Sequence, residues 1–230
     1  MDAKAVAVYC GSLTGTEKAF TSAAISLGHA LADANRPLVY GGGSKGIMGA
    51  VSSAVLERNG QVTGIVPSAM VAAGGEGGSR DVRIDEPGRE KIENIVVESM
   101  HERKVQMARR VGAFIGLPGG FGTFEEVLEV TTWTQLGIHN KPVILLDVCS
   151  FFEPLRQQIN NGIKYGFIKS ASKDIVVFVD GPDSHAEHET FNWGEAALKA
   201  IEGWTHDPQH GLYNWSADAE GKPNDALNST

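Results

Sequence analysis

Six short apolar runs, separated by longer stretches of helical periodicity, constrain this chain more than any other feature. Residues 5–10, 37–40, 61–67, 113–117, 142–147 and 175–179 are continuous β-type runs rather than alternating ones, as strands buried on both faces are. Between the first two, Phe20, Ala24, Leu27, Leu31 and Ala34 recur at three- and four-residue spacing, which directs one helical face at a sheet. Such alternation predicts a single α/β domain, a Rossmann-like open parallel sheet with helices on both faces. The chain has 230 residues, 42% hydrophobic and 21% charged, enough for one substantial core. Periodicity stops after residue 203, where Pro208, Gly211, Gly221 and Pro223 interrupt a polar stretch. Residues 1–203 therefore read as the domain. Residues 204–230 read as a tail, either docked by Trp204, Tyr213 and Trp215 or frayed.

A formal net charge of −8 argues against a broad nucleic-acid surface, which needs clustered Lys and Arg. A small anion needs only a few local donors. Cys10 and Cys149 stand alone, without a CxxC or CxxH companion, so neither a disulfide framework nor a zinc site is expected. The first apolar run spans about six residues, short of a signal core or a membrane span, and the expectation is a cytoplasmic protein without a membrane partner. The segment 183–189, with His185, Glu187, His188 and Glu189, reads as a solvated polar loop and not a metal site. Residues 72–88 are glycine-rich without hydrophobic period. They read as a surface loop, either mobile or closing over a site.

Three glycine-rich turns follow three of the strands: Gly11-Ser12-Leu13-Thr14-Gly15, the stretch from Gly41 to Gly49, and Pro118-Gly119-Gly120-Phe121-Gly122-Thr123. In an open parallel sheet the C-terminal strand ends line one crevice, so these turns converge on one ligand. Glycine allows close backbone approach, and a following helix presents free N–H groups to an anion. Ser12, Gly42, Gly43, Gly119, Gly120, Gly122 and Thr123 are thus candidate contacts for a phosphate-bearing substrate. A GxGxxG fingerprint is missing from the first turn, which disfavours NAD, and GxxxxGK[ST] is missing throughout, which disfavours a nucleoside triphosphatase.

Met100, Arg103, Lys104 and Met107 fall on one face of a helical segment. Two cations inside an apolar stripe need an anionic partner or a route to solvent, so the stripe reads as ligand-facing. Beyond the third glycine turn, Thr123 is positioned as an N-cap with Glu125 and Glu126 in the first turn, and Glu126 and Glu129 share a face toward the same crevice. A carboxylate beside a bound phosphosugar is what glycosyl hydrolysis requires, because it stabilises an oxocarbenium-like state and orients water. Apolar Trp133, Leu136 and Met107 exceed what one sheet face covers and suggest a homodimer.

The blocks Tyr40-Gly41-Gly42-Gly43 with Met48-Gly49, Met100-His101-Glu102-Arg103-Lys104, residues 118–126, residues 132–139 and Lys141-Pro142 resemble the LONELY GUY family of cytokinin-activating phosphoribohydrolases. The resemblance spans roughly residues 4–180. It implies hydrolysis of cytokinin riboside 5'-monophosphates, and of AMP, to free base and ribose 5-phosphate, without metal or cofactor, in a dimer or an assembly of dimers. It also implies that Arg103 and Glu126 are catalytic, with Lys104, Gly119 to Thr123 and Thr132 as substrate contacts. From the crevice reading, Met100, Glu125 and Glu129 join that set. Residues 72–88 and the tail depart from the family pattern. Members are often labelled lysine decarboxylases, but that chemistry needs pyridoxal phosphate on a Schiff-base lysine, for which no separate signal exists here. Two other readings compete: a nucleotide-binding module without turnover, which the Arg103 and Glu126 pair opposes, and a Rossmann oxidoreductase, which the missing fingerprint opposes.

Overall fold

The computed structural model describes residues 4–73, 88–205, 213, 215, 225–228 and 230. Its sheet consists of β1 (Val6–Tyr9), β2 (Leu38–Tyr40), β3 (Val62–Pro67), β4 (Ile92–Val97), β5 (Ala113–Gly116), β6 (Val143–Asp147) and β7 (Val176–Asp180). All pairs are parallel, in the order β4-β3-β2-β1-β5-β6-β7. The chain builds outward from β1 to β4, then returns to the other side of β1. Val6 accordingly pairs with Leu38 on one flank and Ala113 on the other. That reversal between β1 and β5 opens the crevice in which ligands of such sheets bind.

The helices are α1 (Lys18–Asp33), α2 (Gly46–Glu57), α3 (Ser68–Ala73), α4 (Met100–Arg110), α5 (Phe121–Leu136), α6 (Glu153–Lys164) and α7 (Trp193–Gly203). Strand alternation sends Val6, Val8 and Cys10 into a core with α1, α2 and α7, and Ala5, Ala7 and Tyr9 into a second core with α4 and α5. On α1, Ala24, Leu27 and Leu31 are buried as their spacing predicts; Phe20 is half-buried and Ala34 is the exposed C-cap. Each large aliphatic side chain so buried contributes about 1.5–3 kcal/mol against exposure.

The sequence runs missed β4 and misjudged the sheet edges. At the edge, β4 covers only one flank, so Glu93 and Val96 are exposed and no continuous apolar run forms; Val177, Phe178 and Val179 of β7 are likewise half-buried. Residues 72–73 end α3, while 74–87 lie outside the described residues, as does the loop expected there. The tail residues that are described make contact. Trp204 Nε1 donates to Asp174 O (3.2 Å), Trp215 Nε1 to Leu136 O (2.9 Å), and Leu227 is buried beneath α4 and α5, whereas Tyr213 is exposed.

Two further expectations are corrected. His188 is not solvated: it is buried, takes the Cys149 N–H on Nδ1 (2.9 Å) and donates from Nε2 to Pro182 O (2.7 Å). It thereby holds Cys149 and Ser150, both at positive φ (53° and 58°). Trp133 and Met107 are buried in their own core and Leu136 is half-buried; the exposed apolar residues on α5 are Phe121, Phe124 and Leu128. Among the described residues no three His, Cys, Asp or Glu side chains gather as a metal site, and no helix is long and apolar enough to cross a membrane.

Candidate functional site

The three glycine turns knit together at the C-terminal edge of the sheet. Gly11 N donates to Pro118 O (3.1 Å), joining the first turn to the third, and Met48 N donates to Gly11 O (3.2 Å), joining the second to the first. Gly46, at φ 61°, lies so close to Ser12 that any Cβ would overlap its carbonyl. The result is a crevice of about 320 Å³, at the lower end of the range for small-ligand pockets. A larger, shallower groove of about 720 Å³ between α1 and α7 has only solvent-exposed or half-buried lining, including Ser26, His29, Asp33 and Lys199, and lies away from the glycine turns.

One end of the crevice is the start of α5. Gly120 precedes the helix and has no side chain to cap it, so the first-turn N–H groups of Phe121, Gly122 and Thr123 lack intrahelical acceptors. Gly120, Phe121, Gly122, Thr123 and Ser12 all line the crevice. Thr123 is therefore a first-turn residue and not the N-cap expected from the sequence, and Glu125 and Glu126 follow in the next turn.

The other end holds a buried ion pair. Ser99 caps α4 by accepting from Glu102 N (3.0 Å), while Glu102 accepts from Glu98 N (2.9 Å), an arrangement close to a capping box. This fixes the phase of α4 so that Arg103 turns inward. Arg103 Nε donates to Ile65 O on β3 (3.1 Å), and Nη1 touches Met100 Sδ (3.8 Å). Nη2 lies 3.5 Å from Glu126 Oε1 on α5. Arg103 is thus anchored by backbone and faces Glu126 without saturating it. Burial pushes the Glu126 carboxyl up to about 7, with Arg103 opposing and Glu125 adding to the rise. Gly41, at the end of β2, leaves room for the guanidinium: a Cβ there would land on Arg103 Nη2.

Lys104 points elsewhere. Its Nζ contacts Glu125 Oε1 (2.5 Å) and Glu129 Oε1 (2.9 Å). Burial alone would lower its pKa, but hydrogen bonds to the two carboxylates outweigh that and raise it above the ordinary lysine value. Lys104, Glu129, Gly42, Gly43, Gly119 and Thr132 do not line the crevice. Gly42, Gly43 and Gly119 pack against Val66, Met48 and Thr123, and Thr132 is exposed with its hydroxyl on Leu128 O (2.8 Å).

Sequence reasoning left out several residues of the site. Gly11, Gly41, Met48 and Met70 line it, as does Cys10, whose thiol is pushed up by burial and so is held protonated. Gly11 and Gly41 open turns that were legible. The Ser99-to-Glu102 spacing could have fixed the start of α4. Met70, from α3, carries no local signal.

Comparison with known proteins bears on this geometry. Residues 48–188 match the family model described as possible lysine decarboxylase. The chain is 44% identical to a cytokinin riboside 5'-monophosphate phosphoribohydrolase of Arabidopsis thaliana over 75% of this chain and 76% of that one. It is 43% identical to another of Oryza sativa subsp. japonica over 75% and 66%. Among solved structures, the molybdenum cofactor binding protein of Rippkaea orientalis aligns with a TM-score of 0.56 at 19% identity (88% of this chain, 98% of that one). The molybdenum cofactor carrier protein of Chlamydomonas reinhardtii aligns at 0.55 and 18% (87% and 99%). These last two share the fold.

Lysine-decarboxylase chemistry would need a lysine free to form a Schiff base with pyridoxal phosphate. Lys104 is held as an ammonium by two carboxylates. Burial lowers Lys141 to about 8, but it precedes β6 at the opposite end of the sheet from the crevice, with Nζ on Ala108 O (2.5 Å). Neither fits that cofactor. By sequence identity and coverage, the chain belongs to the family of the cytokinin riboside 5'-monophosphate phosphoribohydrolases.

Proposed function

We propose that this protein hydrolyses the N-glycosidic bond of cytokinin riboside 5'-monophosphates, and of AMP, releasing free base and ribose 5-phosphate. The observation that carries the reading is Glu126, a buried carboxyl raised to about 7, one turn beyond an uncapped helix start and facing Arg103 across one crevice. The 5'-phosphate sits on the first-turn N–H groups of α5 with the Thr123 and Ser12 hydroxyls. Gly120, Gly122 and Met100 form the walls and Glu125 the rim. The ribose then lies against Glu126. As the C1'–N9 bond breaks, its electron pair leaves with the base and positive charge develops at C1', which the Glu126 carboxylate stabilises. Glu126 accepts a proton from the attacking water, hydroxide adds to C1', and that proton departs on the base, which regenerates the carboxylate. Arg103 balances the anion and holds the substrate. The catalytic unit is residues 1–203, in a reducing cytoplasmic setting that suits two free thiols.

Incubation with AMP and its N6-isopentenyl derivative should yield base and ribose 5-phosphate in equal amounts. Nucleotide binding without any base release would favour the non-catalytic binding module. Gly41→Ala offers a milder probe, since it changes no reacting group chemically and acts only on where Arg103 sits. It is expected to lower kcat/KM by at least about tenfold, ~1.4 kcal/mol, by displacing Arg103 from Ile65 O. Unchanged kinetics would show that the guanidinium position is not critical.

The active form is a homodimer joined through the outer face of α5. Phe121, Phe124 and Leu128 follow one another at helical spacing, and Phe121 is 91% exposed with Leu13 (80%) also open to solvent. Thr132 continues that stripe. Light scattering at micromolar concentration should give twice 24.5 kDa, falling to a single chain for Phe124→Glu with Leu128→Asp. A monomeric wild-type protein would contradict the assignment.

A further inference from the structure

Tyr9, the last residue of β1, is 2% exposed. It lies on the sheet face covered by α4 and α5, its ring stacked on Phe114 at 6.0 Å. A phenylalanine would supply that packing, whereas a buried phenol costs free energy unless its hydroxyl is hydrogen-bonded. Among the described residues, the buried side-chain atoms without a hydrogen-bond partner include Tyr9 Oη, Glu126 Oε1 and Glu129 Oε2. Tyr9 packs with Val127 and Val130 of α5, the helix that carries Glu126 and Glu129 one turn apart; burial first, then these two carboxylates, raise the phenol well above the tyrosine range, with Arg103 opposing.

We infer that Tyr9 is a positioning residue for Glu126, acting through one buried water that accepts from the Tyr9 hydroxyl and donates to Glu126 Oε1 and Glu129 Oε2. The hydrogen count fits a single water, with one donor and two acceptors around it, and three polar partners are what such a site needs. The bridge favours the ionised Glu126 and fixes its inner oxygen. It also lets two neighbouring carboxylates coexist, with Lys104 neutralising the outer edge. This inference rests on the assignment of Glu126 to the chemistry.

Removing the hydroxyl weakens support for the anion, so Tyr9→Phe should move the acid limb of the kcat/KM profile upward by about half a unit to one unit. Activity near pH 6 should fall about three- to tenfold, with values above pH 9 within about twofold of wild type. Superimposable profiles, or a loss equal at every pH, would overturn the proposal. A readout on the wild-type chain is independent of turnover. With ¹³Cζ-labelled tyrosine, of which the chain has four, the Tyr9 resonance should move with the midpoint of that acid limb and stand still in Glu126→Gln. A wild-type resonance that stays fixed between pH 5 and 9 refutes the coupling. If wild-type protein releases no base from AMP, the reading of the site has failed, and the resonance still decides whether Tyr9 and Glu126 are linked.

Discussion

Glu126→Gln is expected to lower kcat by about a thousandfold, ~4 kcal/mol of transition-state stabilisation, while making the fold more stable above neutral pH. The first effect follows from replacing an anion beside C1' with a neutral amide of the same size, so nucleotide binding should largely persist. The second follows from burial. The carboxyl's folded pKa of about 7 exceeds its ordinary 4.5. Below pH 4.5 both the folded and unfolded forms are protonated and no cost arises. Between 4.5 and 7 the unfolded chain ionises first, so stability falls with rising pH, and above 7 the whole cost is present. The raised value already includes the attraction of Arg103, so desolvation outweighs the ion pair. The variant should gain on the order of 1–3 kcal/mol at pH 8 and almost nothing at pH 4.5. Urea melts at the two pH values check this; equal stability at pH 8, or retained turnover, would remove Glu126 from its assigned role.

Adenosine and ATP should each be cleaved at least about a hundredfold less efficiently than AMP, equivalent to ~2.7 kcal/mol. The start of α5 offers three N–H groups, Thr123 and Ser12, a set sized for one phosphate group. Binding energy gathered there holds the ribose against Glu126, so a nucleoside without phosphate loses kcat as well as affinity. ATP fails for a different reason. Its extra phosphates exceed the single group that the first-turn N–H donors of α5 can hold and add negative charge beside Glu125 at the rim. Comparable kcat/KM for adenosine would mean that α5 does not hold a phosphate and that the enzyme is a general nucleosidase.

What the sequence revealed depended on how local each signal was. The central strands and the glycine turns were legible because burial on both faces and tight turns leave continuous marks, as in 5–10 and Pro118 to Gly122. The edge strand β4 was not, since one uncovered flank removes the apolar run that announces a strand. The helix faces marked Arg103 with Lys104 and Glu126 with Glu129, and the family resemblance alone set Arg103 and Glu126 apart; in the structure Arg103 faces Glu126, whereas Lys104 turns to Glu125 and Glu129. One helical step of about 100° separates those outcomes, and only packing decides between them. Tyr9 resembled any core aromatic; its chemistry arises from α5 residues more than a hundred positions away. The two solved structures of similar fold are of a molybdenum cofactor binding protein and a molybdenum cofactor carrier protein, so the sheet alone settles no activity.

Gly120 shows where stability and use of the site conflict. Its φ of −98° suits any residue, and a Cβ built on it meets nothing within 4 Å. Neither backbone nor packing asks for glycine there. Asp or Ser at such a position ordinarily stabilises a helix by roughly a few tenths of a kcal/mol over glycine, by accepting the N–H groups that glycine leaves open. A programme of consensus or cap optimisation would choose that change early, and would gain thermal tolerance by filling the anion site from within. Improvements to this fold are better sought in α6 and at the β7 edge, away from the crevice.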